Sequence, residues 1–320
     1  MERVNFTFNS KMTQSSASSY SEKNLGHVEI NVEGWVPDSG PRAIVQISHG
    51  MQEYASRYER FAKALVSEGF AVYASDHRGH GKSLVNGRLG HLGAGGWEAV
   101  LCDLHEVSKL VKERHPGLPL FLLGHSWGSF LAQAYIQRWG NEQAGCILSG
   151  TNGYNPLAKV GLVAARLITR FDGPDTTATL LEKLTVGNFN DDFKGGPTGK
   201  EWLSRDTAEV RKYVDDPLCG QPFPNSFFVE MLALLNTIWL PLNEARIPKK
   251  LPVFMIAGSK DPVGLKGKGV LALAKRYKKN RMADVTWRIY EGARHEVLNE
   301  TNRDEVTKDV IDWLRVHLAG

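Results

Sequence analysis

Short apolar segments recur along the chain, each bounded by glycine, proline or polar residues. The most apolar of them are rich in aliphatic and β-branched side chains and predict buried strands at Ala43–Ser48, 71–75, 120–124, Gly145–Ser149 and 253–257. Residues 27–36 and 286–290 mix apolar and polar positions and predict outer strands. Strands that are apolar throughout belong to sheets covered on both faces, so the pattern predicts a mostly parallel sheet flanked by helices.

Between the predicted strands, apolar side chains recur at helical spacing. They form one stripe along each of four segments and predict helices at 58–68, 97–114, 129–139 and 303–317. Strand and helix therefore alternate along most of the chain, which is typical of the α/β class.

The alternation stops between residues 151 and 250. This stretch contains Gly195-Gly196-Pro197 and two helix-like apolar runs, at 157–171 and 227–240. We interpret residues 1–150 and 251–320 as an α/β core, and residues 151–250 as a helical cap inserted over the carboxyl edge of the sheet. The serine-rich residues 15–21 predict a loop between two early strands.

Composition narrows the possible partners and compartment. The 320 residues are 42% hydrophobic and 23% charged, with scattered charges and a net charge of +4, so no nucleic-acid-binding surface is indicated. Three widely spaced cysteines fit neither a disulfide framework nor a zinc site and suggest a reducing compartment. No apolar run has the length of a signal peptide or a membrane span, so we expect a cytoplasmic protein.

The strongest chemical motif is Gly124-His125-Ser126-Trp127-Gly128, which lies between a predicted strand and a predicted helix. The pattern G-x-S-x-G needs small residues on both sides because the serine occupies a strained strand-to-helix turn. This context predicts a nucleophilic Ser126 in an α/β-hydrolase fold.

A serine hydroxyl needs a base to take its proton and a carboxylate to orient that base. In this fold the acid and then the histidine follow the serine along the chain. Asp261 follows the strand at 253–257 and His295 follows the strand at 286–290, so both are expected at the carboxyl edge of the sheet. Asp284 precedes its strand and His317 ends the last helix, which makes them weaker candidates.

Backbone N–H groups are expected to stabilise the negative charge that develops during acyl transfer. We assign one to Trp127, directly after the nucleophile, and the other to Met51 after the strand Ala43–Ser48. The segment Asp76–Ser83 has two glycines but no phosphate-loop spacing, and its histidines lack metal-site spacing. It is interpreted as a structural turn, and neither a metal nor another cofactor is predicted.

With these motifs in place, the chain resembles the monoacylglycerol lipase and lysophospholipase branch of the α/β hydrolases, often grouped with serine aminopeptidases. The resemblance covers nearly the whole sequence. It includes the turn at 124–128, called the elbow below, and His295. It also includes the segments His49-Gly50-Met51 with Glu53, Arg57 and Tyr58, then 76–83, 116–119, 201–206, 216–220 and 258–261.

The resemblance implies a mobile cap over an acyl-chain pocket. It places Glu53 and Arg57 near a polar head group, but a structural ion pair between them is the interpretation that we favour. Tyr54 and Trp127 depart from the common His and Met of relatives, and Trp127 is expected to narrow the pocket and favour shorter acyl chains. Phe227 and Met231, in the apolar run of the cap, are the further predicted substrate contacts.

Three functions remain open from the sequence. The preferred one is hydrolysis of monoacylglycerols, lysophospholipids or similar esters, with transient membrane or micelle contact through the apolar run at 227–240, unless that run is buried against the core. The second is a peptidase that removes N-terminal residues and holds the substrate amine through Asp191 and Asp192. The third is a non-catalytic binding protein of the same fold, which a complete set of Ser126, Asp261 and His295 disfavours.

Overall fold

A computed structural model describes residues 1–10 and 28–318 of the chain. Its described part contains one eight-stranded sheet. The strands are β1 (Glu2–Asn9), β2 (Glu29–Val36), β3 (Ala43–Ser48), β4 (Phe70–Ser75), β5 (Leu120–His125), β6 (Gly145–Ser149), β7 (Val253–Gly258) and β8 (Val285–Tyr290). The predicted loop at 15–21 lies outside the described residues.

The sheet is mostly parallel, as predicted. Its strand order is β1-β2-β4-β3-β5-β6-β7-β8, with β1 and β2 antiparallel to their neighbours and all other pairs parallel. The carboxyl ends of β3, β5, β6, β7 and β8 therefore meet at one edge, where open α/β sheets place their ligand sites.

Helices cover both faces of this sheet. The helices of the described residues are α1 (Glu59–Ser67), α2 (Gly96–Arg114), α3 (Trp127–Trp139), α4 (Leu157–Asp172), α5 (Thr179–Thr185), α6 (Thr207–Asp215), α7 (Asn225–Ile238), α8 (Pro241–Glu244), α9 (Lys268–Lys279) and α10 (Arg303–Val316). The residues of a strand point alternately to the two faces, so Phe121 packs with α1 and α10 while Leu122 packs with α2 and α3. Both faces of the central strands are consequently buried.

The insertion between β6 and β7 holds α4 to α8. Helix α7 packs between α3 and α4, and Phe227, Phe228 and Leu234 on it are almost fully buried. The apolar run at 227–240 is thus a helix buried against the core, the alternative to a membrane-facing surface. The division into core at 1–150 and 251–320 and cap at 151–250 stays a prediction.

One helix of the described residues after β7 differs from the sequence-based expectation. Helix α9 was not predicted, because its apolar positions are separated by lysines and an arginine that shorten the visible stripe. Helix α10 and strands β2 to β8 agree with the predicted bounds to within one or two residues, whereas no bounds were predicted for β1. In the described part of the chain, none of the helices combines the length and apolarity needed to cross a bilayer.

Candidate active site

Ser126 occupies the turn between β5 and α3. Its backbone angles, φ 52° and ψ −122°, lie in a region that L residues rarely adopt and that costs on the order of 1–3 kcal/mol. The Ser126 N–H donates to the carbonyl of Ser149 at 2.9 Å, which ties the strained residue to the end of β6. The turn therefore holds the hydroxyl at the carboxyl edge of the sheet.

The glycines of the elbow are required by a close backbone crossing. A Cβ on Gly124 would lie 2.4 Å from the carbonyl oxygen of Gly128. A Cβ on Gly128 would lie 2.1 Å from the carbonyl oxygen of Ser48 and 2.3 Å from that of His49. Helix α3 can start directly against the end of β3 only because both positions lack a side chain.

Asp261 and His295 meet next to this elbow. Asp261 follows β7 and His295 follows β8, both are buried, and the His295 Nδ1–H donates to Asp261 Oδ1 at 3.0 Å. This bond leaves Nε2 of the neutral ring as the atom able to accept a proton. His295 and Ser126 line the same cavity of 460 Å³.

Two histidines near the serine have opposite electrostatic environments. Burial alone would lower the pKa of His295, but the Asp261 carboxylate, aided by Glu296 and Glu53, outweighs burial and raises that pKa above its ordinary 6.5. Burial, with the charge of His295, lowers the pKa of His125 to about 4. His295 is therefore the better proton acceptor, while His125 stays neutral against it at a ring separation of 4.8 Å.

Residues 50–53 form the loop after β3 and line one cavity together with His295. This loop is called the oxyanion loop below, after the role that the sequence predicts for Met51. The Gly50 N–H donates to Glu53 Oε1 at 2.5 Å, so it is already occupied. Met51 comes next and lines the cavities at Ser126. Trp127 is the first residue of α3, where N–H groups have no acceptor within the helix.

The segment 76–83 forms the expected structural turn. The Asp76 carboxylate accepts hydrogen bonds from the N–H groups of Ala55 and Lys82, at 2.9 and 2.8 Å. A Cβ on Gly81 would lie 2.4 Å from the same carboxylate, which explains the glycine. This turn stacks the ring of His80 on that of Trp127, with centroids 5.3 Å apart, and so packs against the residue that follows Ser126.

Two cavities of different chemistry open at Ser126. The more polar of them, of 460 Å³, is called the polar cavity and is lined by residues that include Gln52, Glu182, Lys183, Asn190 and Lys200. The apolar cavity, of 310 Å³, is lined by residues that include Phe130, Leu157, Met231, Leu235, Trp239 and Val263. Met51, Ser126, Val186 and Trp202 line both, so the serine lies at their junction.

The predicted substrate contacts are divided by this geometry. Met231 and Trp127 line the apolar cavity and Glu53 the polar one. Phe227, one turn before Met231, lines neither of them, because its ring packs behind Trp127 at 5.1 Å. Arg57 is nearly buried in ion pairs with Glu53 and Glu296, the structural alternative to a head-group contact.

Asp191 and Asp192, the candidate amine-binding carboxylates of a peptidase, lie elsewhere. Asp191 pairs with Lys194 and Asp192 with Lys266, and neither aspartate lines the two cavities at Ser126. The expected carboxylate cluster around the substrate amine is therefore not formed by these residues.

Sequence reasoning missed Trp202, whose indole lies 5.0 Å from the ring of His295. The His295 N–H also donates to the Trp202 carbonyl at 3.2 Å. Trp202 belongs to the segment 201–206 that carried part of the resemblance, yet its distance in sequence from His295 gave no sign of the contact.

The sheet topology and the serine elbow together define an α/β hydrolase. Residues 39–302 match the family described as serine aminopeptidase, S33. A monoacylglycerol lipase of Mycolicibacterium smegmatis is 29% identical over 96% of this chain and 100% of its own length. Human monoglyceride lipase is 30% identical over 93% of this chain and 91% of its own length. The chain belongs to the serine aminopeptidase S33 family.

Solved structures agree with this assignment. A thermostable carboxyl esterase from Bacillus coagulans, crystallised in complex with glycerol, is 28% identical, with a TM-score of 0.87 and 99% of both chains covered. A structure described as a lipase in its open form is 27% identical, with a TM-score of 0.86 and the same coverage. With lipases and esterases as its relatives, the chain is a carboxylic ester hydrolase.

The elbow crossing makes a stability prediction. The change Gly128→Ala should lower the free energy of unfolding by more than about 3 kcal/mol, because rigid backbone atoms block the new Cβ. Chemical denaturation followed by circular dichroism measures this. The control is Gly161→Ala in α4, where the nearest atom lies at 3.4 Å and helix propensity should add about 0.8 kcal/mol. An equal change in the free energy of unfolding for the two variants would contradict the close contact of Gly128 with the end of β3.

Proposed function

We propose that this enzyme hydrolyses esters of acylglycerol or lysophospholipid type through an acyl-enzyme, with Ser126 as nucleophile, His295 as general base and Asp261 as the orienting acid. The observation that carries the proposal is the position of Ser126, at the junction of a polar and an apolar cavity and beside a His295 bound to Asp261. An ester with an apolar acyl chain and a polar alcohol fits that division.

In the proposed reaction, Ser126 Oγ attacks the acyl carbonyl while His295 Nε2 takes its proton. The carbonyl oxygen becomes negative and accepts hydrogen bonds from the N–H groups of Trp127 and Met51. The tetrahedral intermediate collapses, the bond to the alcohol oxygen breaks, and His295 returns the proton to that oxygen. Water then attacks the acyl-serine with His295 again as base, which releases the fatty acid and restores Ser126.

The two cavities suggest where each half of the substrate lies. We assign the acyl chain to the apolar cavity, where Met231, Leu235 and Trp239 exclude water. The alcohol is assigned to the polar cavity, whose lining supplies amide, carboxylate and ammonium groups. The names of two relatives, monoacylglycerol lipase and monoglyceride lipase, support an acylglycerol substrate.

The first test is hydrolysis of p-nitrophenyl esters of two to sixteen carbons. Activity should depend on acyl length, since the apolar cavity has a finite volume of 310 Å³. Ser126→Ala should lose on the order of 10⁶-fold in kcat. Ser67→Ala, at an exposed hydroxyl of α1, is the matched control and should retain full activity. A folded wild-type protein without turnover on any ester would sink the proposal.

The pH dependence follows from the raised pKa of His295. His295 can act as a base only when it is neutral. Its raised pKa keeps it protonated up to a higher pH than usual. As the pH is lowered, kcat/KM should therefore fall with a midpoint above 6.5. Asp261→Asn should move this midpoint down and reduce kcat about 10⁴-fold. A wild-type midpoint at or below 6.5 would contradict the assigned environment.

We further propose that the enzyme meets its substrate at a lipid surface through α4. One stripe of this helix carries large apolar side chains that are 52 to 82% exposed: Leu157, Val160, Val163, Leu167 and Phe171. Leu157 also lines the apolar cavity, so the stripe leads to the predicted acyl site. Exposed Lys159 and Arg170 on the same helix suit anionic head groups.

The membrane proposal is tested by Leu167→Glu and Phe171→Glu, which lie on the stripe but line neither cavity. Each should weaken binding to phosphatidylglycerol-containing vesicles at least tenfold, about 1.4 kcal/mol, and leave turnover of a soluble acetyl ester unchanged. Val316→Glu, at a 69% exposed site on α10, is the control and should not alter vesicle binding. Equal vesicle binding by all variants would refute the assignment.

A further inference from the structure

Arg57 joins two loops that come from opposite ends of the chain. Its guanidinium donates from Nη1 to Glu53 Oε2 at 2.6 Å, and from Nη1 and Nη2 to the two carboxylate oxygens of Glu296 at 2.9 and 2.8 Å. Glu53 ends the oxyanion loop, whereas Glu296 directly follows His295. A single side chain thus bonds both sides of the proposed site across 239 residues of sequence.

On the side of the oxyanion loop, the connection reaches the backbone. Glu53 Oε1 accepts from the Gly50 N–H and from the Tyr58 hydroxyl, at 2.5 and 2.8 Å. A Cβ on Gly50 would touch both Glu53 and Ser126, so the loop is wedged against the nucleophile. Gln52 has a positive φ of 58°, a conformation that is held only by surrounding contacts. The direction of the Met51 N–H therefore depends on where Glu53 is held.

On the side of the base, Glu296 is fixed by several groups. It accepts from Arg57 and from Asn299 Nδ2, and its own N–H donates to the Leu203 carbonyl at 2.8 Å. Burial would raise the pKa of Glu296, but Arg57 outweighs burial and holds it at about 2. The ring of Tyr213 lies under the guanidinium at 5.0 Å.

The charges in this network are unequal. Arg57 is one cation between two carboxylates, and both carboxylates act on His295 along with Asp261. The other titratable groups that interact with Arg57, His295 or their partners are Tyr54, Tyr58, Tyr213, Cys219, His49 and His125. Loss of the guanidinium would leave Glu53 and Glu296 facing each other in a buried space, where repulsion is poorly screened.

We propose that Arg57 is a positioning residue that fixes the distance between the oxyanion loop and the loop of His295, without contacting the substrate. This inference rests on the proposed function, because it assigns Met51 and His295 to the reaction. Arg57 itself does not line either cavity at Ser126, whereas its partners Glu53 and Glu296 line the polar one. It therefore acts through them.

The test compares Arg57→Met with Arg57→Lys in the full-length enzyme. Arg57→Met should lower kcat about 100-fold, the effect of one misplaced oxyanion donor, with KM changed less than threefold. The fall of kcat/KM at low pH, called the acid limb below, should move to higher pH in this variant. Without the guanidinium, the charges of Glu53 and Glu296 favour protonated His295. Arg57→Lys loses the bidentate bond to Glu296, so its kcat should be lower than that of the wild type. It keeps the positive charge, so its acid limb should stay near the wild-type position.

The matched control is Arg276→Met, because Arg276 also makes two bonds to one carboxylate, Glu244, at 2.9 and 2.6 Å. It should lower the melting temperature without shifting the acid limb. If Arg57→Met does not fold, Glu296→Gln replaces it and should shift the limb to lower pH. A loss confined to KM, or wild-type kcat and pH profile in the Arg57 variants, would overturn the proposal.

NMR titration of the His295 ring separates this inference from the proposed function. A wild-type enzyme without esterase turnover would refute the function, whereas the shift of the His295 pKa between wild type and Arg57→Met would still be measured. An unchanged His295 pKa in Arg57→Met, together with wild-type turnover, would refute the positioning role alone.

Discussion

The site depends on the backbone crossing at Ser126. Strands β3, β5 and β6 end in register, with Ser48 opposite Gly124 and His125 opposite Ser149. The start of α3 must therefore pass against the end of β3, at distances that exclude any Cβ on Gly128. The strained angles of Ser126 are sustained because three parallel strands, buried on both faces, do not yield to them.

His295, the proposed base, is supported independently of Ser126, the proposed nucleophile. Asp261 and His295 follow β7 and β8, which pair with each other over their full length. The elbow alone does not fix the separation between the two halves of the site, since the oxyanion loop and the loop of His295 are not neighbours in the sheet. Buried charge provides that connection, because the guanidinium of Arg57 and its two carboxylate partners cannot separate without leaving an unpaired charge in the interior.

The residues that could be predicted from sequence are those fixed by local pattern and by topology. The elbow is one pentapeptide between a strand and a helix, and the closeness of Asp261 and His295 follows from strands that end at one edge of a parallel sheet. Local sequence does not determine which side chains line a cavity, because that depends on how the elements pack. Phe227 and Met231 are four residues apart on one face of α7, yet only Met231 reaches the apolar cavity, because Trp127 stands in front of Phe227.

The same limit explains why the sequence left open whether the apolar run at 227–240 is exposed or buried. Helix α7 has the more apolar sequence, and for that reason it is buried between α3 and α4. Helix α4 is less hydrophobic on average, because it also carries charged residues, and its partner α7 covers only one side of it. A second apolar stripe is therefore left exposed. Hydrophobicity alone predicted that an apolar surface exists in this region, whereas its location depends on the packing order of the helices.

Hydrogen bonds tie two segments of the insertion between β6 and β7 to the rest of the chain. Segment 201–206 is bonded to the loop of His295, through Arg294 to the carbonyls of Glu201 and Ser204 and through the His295 N–H to Trp202. Residues 173–178 are bonded to 223–226, next to α7. A displacement of either anchored segment would disturb His295 or the core. Helices α4 and α5 lie outside these two segments, and they carry exposed apolar side chains and part of the wall of the apolar cavity.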